Sequence, residues 1–380
     1  MLCFRKHTKS ACLYKSDSED QPSVSCSSGR VDSAVAFFRA CYERLASMRT
    51  SVRITFLILL FFISVFVFIM YGPIKTVSDL YITTAMHTSD HQYLARMFYS
   101  DCYINEVLSR NNVRQVFGVN SIPHEVSYTD AVELHEITGM GFQGWMLVVD
   151  DPRRIDIVPS IDGGDIFNGS DDDLPEDEFG VFYVGNGELI EEISERNDAF
   201  AAINASGYVN NSCKNRPNGL VVYDHLQVHN CDDERHSFIA ITDENDLVFG
   251  VLRTRDILAQ DYRDVLEFGP MLILDGVPCK INGNGGGVAA RTVIGQTDSG
   301  EVLLLVVDGM QMKSIGATFR DVQEIMLSYG AVNALALDGG SSSCIYYDGQ
   351  VINSPSQGIM GRFLPNAIIV SKDGDREQTE

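Results

Sequence analysis

Two stretches of the sequence decide the fold: residues 303–309 read LLLVVDG and residues 334–343 read ALALDGGSSS. Each begins with an apolar run as long as a buried strand and continues into an aspartate followed by glycine. A buried strand delivers its terminal carboxylate to a crevice, and the glycines let backbone N–H groups approach an anion. Asp308 and Asp338 are therefore candidate catalytic groups. The alternative is that both are ordinary turn residues, since Asp-Gly is a common turn dipeptide.

Carbohydrate cleavage is one reaction that this pattern could support. Two carboxylates at strand ends can serve as acid and base in breaking a glycosidic bond. The three hydroxyls of residues 341–343 follow immediately and can donate to or accept from a sugar or a phosphate.

Three further residues are candidates for ligand binding. Arg291 follows the glycine-rich loop 283–288, where a guanidinium could clamp phosphate oxygens with two hydrogen bonds. Arg362 is a second candidate cation, and Asn204 ends a short apolar run. A surface salt bridge would explain either arginine equally well, and a turn would explain the asparagine.

The order of these motifs resembles the phosphodiester glycosidase family. The motifs are INxxG, a glycine-rich loop with RTxIG, LLxVVDG, GATxxDVxxIMxxYGAVNALxLDGGSSS and GR…PNA, spread over roughly residues 144–370. The resemblance implies hydrolysis of glycosyl phosphodiester bonds, and it implies a link to exopolysaccharide synthesis if the protein is bacterial. It implies a site lined by the following residues, with Arg362 near it: Asn204, Arg291, Asp308, Asp338, Gly339, Gly340, Ser341 and Ser342.

Two departures from the family pattern leave the activity open. The family usually has Asn-Gly-Gly-x-Phe where this chain has residues 204–208, NASGY, and it often has arginine where this chain has Met310. We expect Arg291 and the 339–342 segment to hold the phosphodiester while Asp308 or Asp338 acts at the anomeric carbon. The two carboxylates cannot be assigned separate roles from the sequence. The rival hypothesis is a catalytically silent module that binds glycan or polymer in the cell envelope.

The net charge differs between the two sides of a long apolar segment. Residues 1–71 contain nine Lys/Arg and five Asp/Glu, whereas residues 72–380 contain 20 Lys/Arg and 47 Asp/Glu. Because so acidic a surface repels phosphate groups, nucleic acid is excluded as a partner of residues 72–380. Residues 54–70 carry no charge and are apolar all round, which predicts a transmembrane helix rather than a core helix or a cleaved signal peptide. The arginines that precede this segment place the N-terminus in the cytoplasm and the rest outside the cell.

The expected domain organisation follows from these patterns. It comprises a cytoplasmic tail (1–53), a transmembrane helix (54–71), a helical stalk (72–126), a phosphodiester glycosidase-like domain (127–372) and a polar tail (373–380). The expected partners are a glycan or sugar-phosphate polymer as substrate, the membrane through one helix, and a second copy through the stalk.

The outer domain is predicted to be α+β, with mixed β-sheets and packed helices, because its apolar runs do not alternate strictly as βαβ. Residues 144–150 are predicted to form a hairpin with residues 154–160, and residues 334–337 to be the last buried strand. Asp101 or Asn105 is expected to cap a helix of the stalk.

We predict no metal and no cofactor for the reaction. The acidic residues 162–178 do not have the spacing of an EF-hand calcium loop and are predicted to be solvated, with a calcium site as the alternative. Histidines 225, 229 and 236 lie near Cys231 and are predicted to be loop residues rather than metal ligands. Cys213 and Cys231 could form a disulfide bond.

Overall fold

The computed structural model describes residues 49–88, 91–123, 128–161, 187–211, 214–229, 232–356 and 361–372, with a few positions between 36 and 43. The acidic residues 162–178, both cysteines of the possible Cys213–Cys231 disulfide bond and the polar tail 373–380 lie outside these residues. The chain divides into two compact units, residues 1–70 and 71–380.

Helix α1 (Thr50–Tyr71) is the one helix of the described residues that is long and apolar enough to cross a membrane. Its 22 residues correspond to about 33 Å at a rise of about 1.5 Å per residue. Its side chains show no polar face, because residues 54–70 are apolar on every side. The expectation of an anchoring helix is met in length and composition.

Three helices follow: α2 (Lys75–Met86), α3 (Gln92–Phe98) and α4 (Asp101–Arg110). They bury a small apolar cluster of their own that includes Ile82, Ala95 and Ile104. The Oγ atom of Ser100 accepts a hydrogen bond from the backbone of Tyr103 and caps α4, so the predicted capping by Asp101 or Asn105 is wrong. Asp101 lies instead in the first helical turn, where the helix dipole favours a negative charge.

The remaining elements form an α+β domain, which confirms the predicted class. The helices are α5 (Ile190–Arg196), α6 (Thr254–Leu258) and α7 (Phe319–Ser328), and 3₁₀ turns occupy Pro152–Arg154 and Gly340–Ser342. The strands of the described residues are β1 (Val113–Arg114), β2 (Gly118–Ser121), β3 (Val132–Gly139), β4 (Phe142–Val149), β5 (Ile155–Pro159), β6 (Ala199–Asn204), β7 (Tyr208–Asn211), β8 (Lys214–Pro217), β9 (Val221–Tyr223), β10 (Leu226–His229), β11 (Arg235–Ile241), β12 (Leu247–Arg253), β13 (Asp264–Glu267), β14 (Met271–Leu274), β15 (Val277–Pro278), β16 (Lys280–Ile281), β17 (Arg291–Thr297), β18 (Val302–Val307), β19 (Ala331–Leu337), β20 (Ile345–Tyr347), β21 (Gln350–Val351) and β22 (Asn366–Ser371).

Three larger sheets build the domain. Their strand orders are β10-β9-β13-β11-β12-β2, β15-β14-β19-β17-β18-β4-β3 and β21-β20-β6-β22-β5, and two-stranded pairs join β1 to β16 and β7 to β8. Because β2 is an edge strand of the first sheet, strand pairing begins upstream of residue 127, where the outer domain was predicted to start.

The sheets share one apolar core, to which side chains of all three contribute. Leu304 and Leu335 come from the second sheet, Ile239 from the first and Ile203 from the third, and each is fully buried. Each sheet also packs a helix on another face: α7 covers the second sheet, α5 the third and α6 the first. The amphipathic pattern of α7 arises from Phe319, Val322 and Met326, which are spaced three or four residues apart.

Two predictions about the strands are wrong. β4 pairs with β3 and β18, whereas β5 pairs with β22, so residues 144–150 and 154–160 do not form a hairpin. Pro152 lies in a 3₁₀ turn that directs the chain from one sheet to another. Residues 334–337 belong to β19 but are not the last strand, because β20, β21 and β22 follow it.

Candidate functional site

The candidate residues meet because β17, β18 and β19 are neighbours in one antiparallel sheet. Arg291, the first residue of β17, pairs with Val307, the last of β18, and Thr292 pairs with Leu337, the last of β19. Antiparallel pairing places the start of β17 beside the ends of its neighbours. Arg291, Asp308 and Asp338 are therefore gathered at one edge of the sheet.

Asn204 is fully buried and connects four segments of the chain. Its Nδ2 donates to the Asp338 carbonyl oxygen over 2.7 Å. Its Oδ1 accepts from Thr292 Oγ1 over 2.8 Å and from the Cys344 backbone over 3.1 Å. Asn204 thus holds the backbone of Asp338 in place, and its side-chain amide forms hydrogen bonds within the protein.

The carboxyl group of Asp338 lines a cavity and is closely surrounded by protein atoms. Burial raises its pKa to about 6, although the Ser342 hydroxyl and the Gly339 backbone N–H stabilise the carboxylate. Its own N–H donates to the Ala205 carbonyl over 3.0 Å. A carboxyl with this pKa exchanges its proton near neutral pH, as acid–base catalysis requires.

The two glycines after Asp338 are required by close packing and by backbone conformation. A Cβ atom at Gly339 would lie 2.7 Å from the Ala290 carbonyl oxygen. Gly340 has φ +62°, in the left-handed region, and its N–H donates to the same carbonyl over 2.9 Å. The glycines therefore lock the 340–342 turn against β17 and direct Ser341 and Ser342 into the cavity.

The cavity has a volume of ≈ 430 Å³. Fourteen residues line it: His87, Thr88, His91, Gly207, Asn218, Phe268, Met310, Asp338, Gly339, Gly340, Ser341, Ser342, Ser356 and Arg362. This volume matches a site for a small ligand such as a sugar carrying a phosphate.

Arg362 is the arginine that lines this cavity. Its guanidinium donates to Ser341 Oγ, so it lies next to the 340–342 turn. A guanidinium beside two serine hydroxyls provides the donors that phosphate oxygens accept. Arg362, with Asp338, Ser341 and Ser342, forms what we call the polar wall of the cavity.

Asp308 lies behind this wall, with its side chain buried. Its carboxylate accepts from Asn353 Nδ2 over 2.9 Å and from the Ser354 backbone over 3.2 Å. Burial raises its pKa, and these two donors oppose the rise. Ser356, two residues beyond Ser354, lines the cavity, so the hydrogen bond to Ser354 connects Asp308 to a segment of the lining.

Arg291 is also buried, and its guanidinium forms hydrogen bonds with backbone carbonyl oxygens instead of lining the cavity. It donates to the carbonyl oxygens of Ala317, Gly286 and Gly287 over 3.1, 3.3 and 2.9 Å. Its Cζ lies 3.9 Å from the ring centroid of Phe319, a cation–π contact. Burial lowers its pKa to about 10, so the side chain remains charged at neutral pH.

The glycine-rich loop packs against helix α2. A Cβ atom at Gly287 would lie 2.5 Å from the Thr84 backbone nitrogen, and one at Gly286 would lie 2.8 Å from His87 Nε2. Thr84 Oγ1 also accepts from the Val288 N–H over 3.2 Å. These glycines bring the C-terminal end of α2 to the cavity, where His87 and Thr88 form part of its lining.

The structure thus divides the predicted site residues into two groups. Asp338, Gly339, Gly340, Ser341, Ser342 and Arg362 line the cavity, whereas Asn204, Arg291 and Asp308 bond to the backbone and side chains behind it. Their catalytic and binding roles stay predictions. Several residues of the site were not predicted from the sequence: Asn353 behind the polar wall and His87, His91, Asn218, Phe268 and Ser356 in the lining.

Across the described parts of the chain, no group of three or more His, Cys, Asp or Glu residues could hold a metal ion. His225 lies instead between Asp243 and Asp261, and His236 between Asp232 and Glu267.

Comparison with known proteins gives similar sequences and similar folds. The SPbeta prophage-derived uncharacterized protein YomE of Bacillus subtilis (strain 168) is 29% identical over 210 residues, 52% of this chain and 32% of the relative. The N-acetylglucosamine-1-phosphodiester alpha-N-acetylglucosaminidase of Bos taurus is 36% identical over 69 residues, 18% of this chain and 13% of the enzyme. The chain thus spans about a third or less of the length of either curated relative.

A solved structure of the catalytic domain of the zebrafish enzyme of the same name, auto-inhibited by its pro-peptide, has a similar fold. It superposes with a TM-score of 0.52 at 19% identity and covers 67% of this chain and 87% of that one. Residues 197–371, which hold every predicted site residue, match the family model described as phosphodiester glycosidase. This segment is therefore similar to the phosphodiester glycosidase family.

Proposed function

We propose that the protein hydrolyses the bond between a sugar and a phosphodiester, with Asp338 as the reacting carboxyl group. The observation that carries the proposal is the polar wall, in which Asp338 faces the same cavity as Arg362, Ser341 and Ser342. The family and the fold support this reaction class.

Different residues of the polar wall contact the two ends of such a substrate. Arg362 and the serine hydroxyls bind the phosphate oxygens and neutralise the charge that grows as the sugar departs. The ionised Asp338 stabilises the positive charge that develops at the anomeric carbon, or directs water to it. A phosphate ester is a weakly basic leaving group, so a strong general acid is less needed. Asp308 acts through Asn353 and Ser354 as a positioning residue.

We further propose α-linked N-acetylglucosamine as the sugar, because the names of the bovine and zebrafish relatives specify it. We place the substrate in a cell-surface polysaccharide or glycoconjugate, because α1 is apolar enough to anchor the chain and arginines precede it. The catalytic domain then lies outside the cell and reaches polymers at the membrane surface.

A silent binding module is the second candidate, and Met310 is the observation that favours it. Met310 lines the cavity at a position where the family often has arginine, so one cation beside the phosphate is replaced by an apolar side chain. Such a module would bind a glycosyl phosphodiester without cleaving it.

The position of bond cleavage tests the proposal. Full-length protein in detergent would be incubated with UDP-N-acetylglucosamine in ¹⁸O-labelled water, and the products analysed by mass spectrometry. We expect the label in the released sugar, because water attacks the anomeric carbon. Label in the phosphate would show a phosphodiesterase instead, and binding without products would show the silent module.

A further inference from the structure

His87 belongs to the cavity although it lies outside the family segment. It follows α2 directly and lines the cavity with Thr88 and His91, whereas the other lining residues lie between positions 207 and 362 of the chain. Its side chain remains accessible from the cavity while protein atoms surround it closely. A ligand in the cavity can therefore contact it.

The orientation of the imidazole is fixed by its neighbours. His87 Nδ1 lies 2.9 Å from the Thr83 carbonyl oxygen, and since a carbonyl can only accept, Nδ1 carries the proton. The rings of His87 and Phe319 form a T-shaped pair, with centroids 6.4 Å apart and an interplanar angle of 71°. Gly286 makes room for the other side of the ring, because a Cβ atom there would lie 2.8 Å from Nε2.

The electrostatic surroundings keep the ring neutral. Burial and the nearby Arg291 guanidinium lower the pKa of His87, and the hydrogen bond to Thr83 only partly opposes them. Other titratable or charged groups of the cavity are His91, Asp338 and Arg362. With its proton on Nδ1, a neutral ring leaves a lone pair on Nε2, which accepts hydrogen bonds.

We propose that His87 is a specificity-determining residue, whose Nε2 accepts a hydrogen bond from a hydroxyl of the bound sugar. A phosphodiester carries no proton to donate, so a lone pair cannot bind it, whereas every sugar hydroxyl can donate. The sugar then lies at the α2 side of the cavity and the phosphate at Arg362. This inference rests on the proposed function for its substrate class.

The experiment measures the two ends of the substrate separately. Full-length protein in detergent would be titrated calorimetrically with N-acetylglucosamine and with dimethyl phosphate, a phosphodiester. We expect His87→Ala to weaken N-acetylglucosamine binding by about fivefold to tenfold, the value of one hydrogen bond, and to leave dimethyl phosphate binding unchanged. Arg362→Ala should do the reverse.

Two variants serve as controls. His87→Gln keeps a side-chain acceptor and should bind N-acetylglucosamine within about threefold of the unmodified protein. Thr76→Ala, at an exposed position near the other end of α2, should change neither affinity. Unchanged sugar affinity in His87→Ala, or equal loss for both ligands, would overturn the assignment. Turnover is measured in parallel, so absence of hydrolysis with intact sugar binding would reject the proposed activity alone.

Discussion

Asp338 combines two properties that a turn aspartate lacks. Its carboxyl faces a cavity, and its surroundings raise the pKa to about 6. Ionisation is therefore unfavourable in the folded protein relative to the unfolded chain, so the folded state loses stability as the pH rises through about 6. A carboxylate that destabilises the fold under working conditions is typical of a catalytic group.

The pH dependence of turnover should report this carboxyl. If Asp338 acts in its ionised form, kcat/KM should rise about tenfold per pH unit below pH 6 and level off above it. Initial rates on UDP-N-acetylglucosamine between pH 4.5 and 8 would measure the profile. A profile that falls as the pH rises through 6 would assign Asp338 the role of an acid and contradict our mechanism.

At this scale the sequence predicted which residues lie at strand ends but not which way their side chains turn. Asp308 and Asp338 follow similar apolar runs, yet only the second faces the cavity, because Asn353 and Ser354 hold the first. The same holds for Arg291, whose guanidinium is bonded to three carbonyl oxygens. Such partners are distant in sequence, and no local pattern indicates them.

At the scale of elements, the glycine-rich loop has a different role from the one that its composition indicates. The sequence analysis interpreted it as a flexible loop before an anion clamp. In the structure, the absence of a side chain at Gly286 and Gly287 allows helix α2 to lie close to the cavity. A glycine-rich stretch predicts close approach of some group, but not whether the group is a phosphate or another part of the chain.

Replacing Gly287 by alanine should therefore displace α2. The new Cβ would lie 2.5 Å from the Thr84 nitrogen, at φ +77°. We expect a loss of stability of about 2–4 kcal/mol in denaturant unfolding and weaker binding of N-acetylglucosamine.

Gly276→Ala is the matched control for this change. Gly276 has φ +69°, so alanine suffers similar backbone strain, but no atom lies within 4 Å of its Cβ position. Gly276→Ala should lower the free energy of unfolding by only about 1 kcal/mol and leave sugar binding unchanged. Equal effects of the two substitutions would show that α2 is not seated by the loop.

Strands with a strong apolar signal were predicted well, and weaker ones were not. The apolar run that begins at residue 303 forms most of β18, a continuous apolar strand that is buried on both faces. β3 alternates buried and exposed positions and was missed, so its partner β4 was paired with the wrong neighbour. β20 to β22 were missed after the glycine- and serine-rich turn.

For the whole molecule, composition and periodicity were sufficient to predict the α+β class and a helix, α1, that is long and apolar enough to cross a membrane. They could not show that three sheets share one core, because this arrangement depends on which strands pair across long stretches of sequence. They also assigned residues 72–126 to a stalk, whereas in the structure His87, Thr88 and His91 line the cavity. The limits of the predicted domains stay predictions.

The central claim concerns turnover at Asp338, and one substitution tests it most directly. Full-length unmodified protein and Asp338→Asn, both in detergent and both shown to be folded by circular dichroism, would be compared for release of N-acetylglucosamine from UDP-N-acetylglucosamine by NMR. We predict measurable turnover for the unmodified protein and a loss of at least about 10³-fold in Asp338→Asn, with substrate binding retained. Turnover by Asp338→Asn at the unmodified rate would contradict the account.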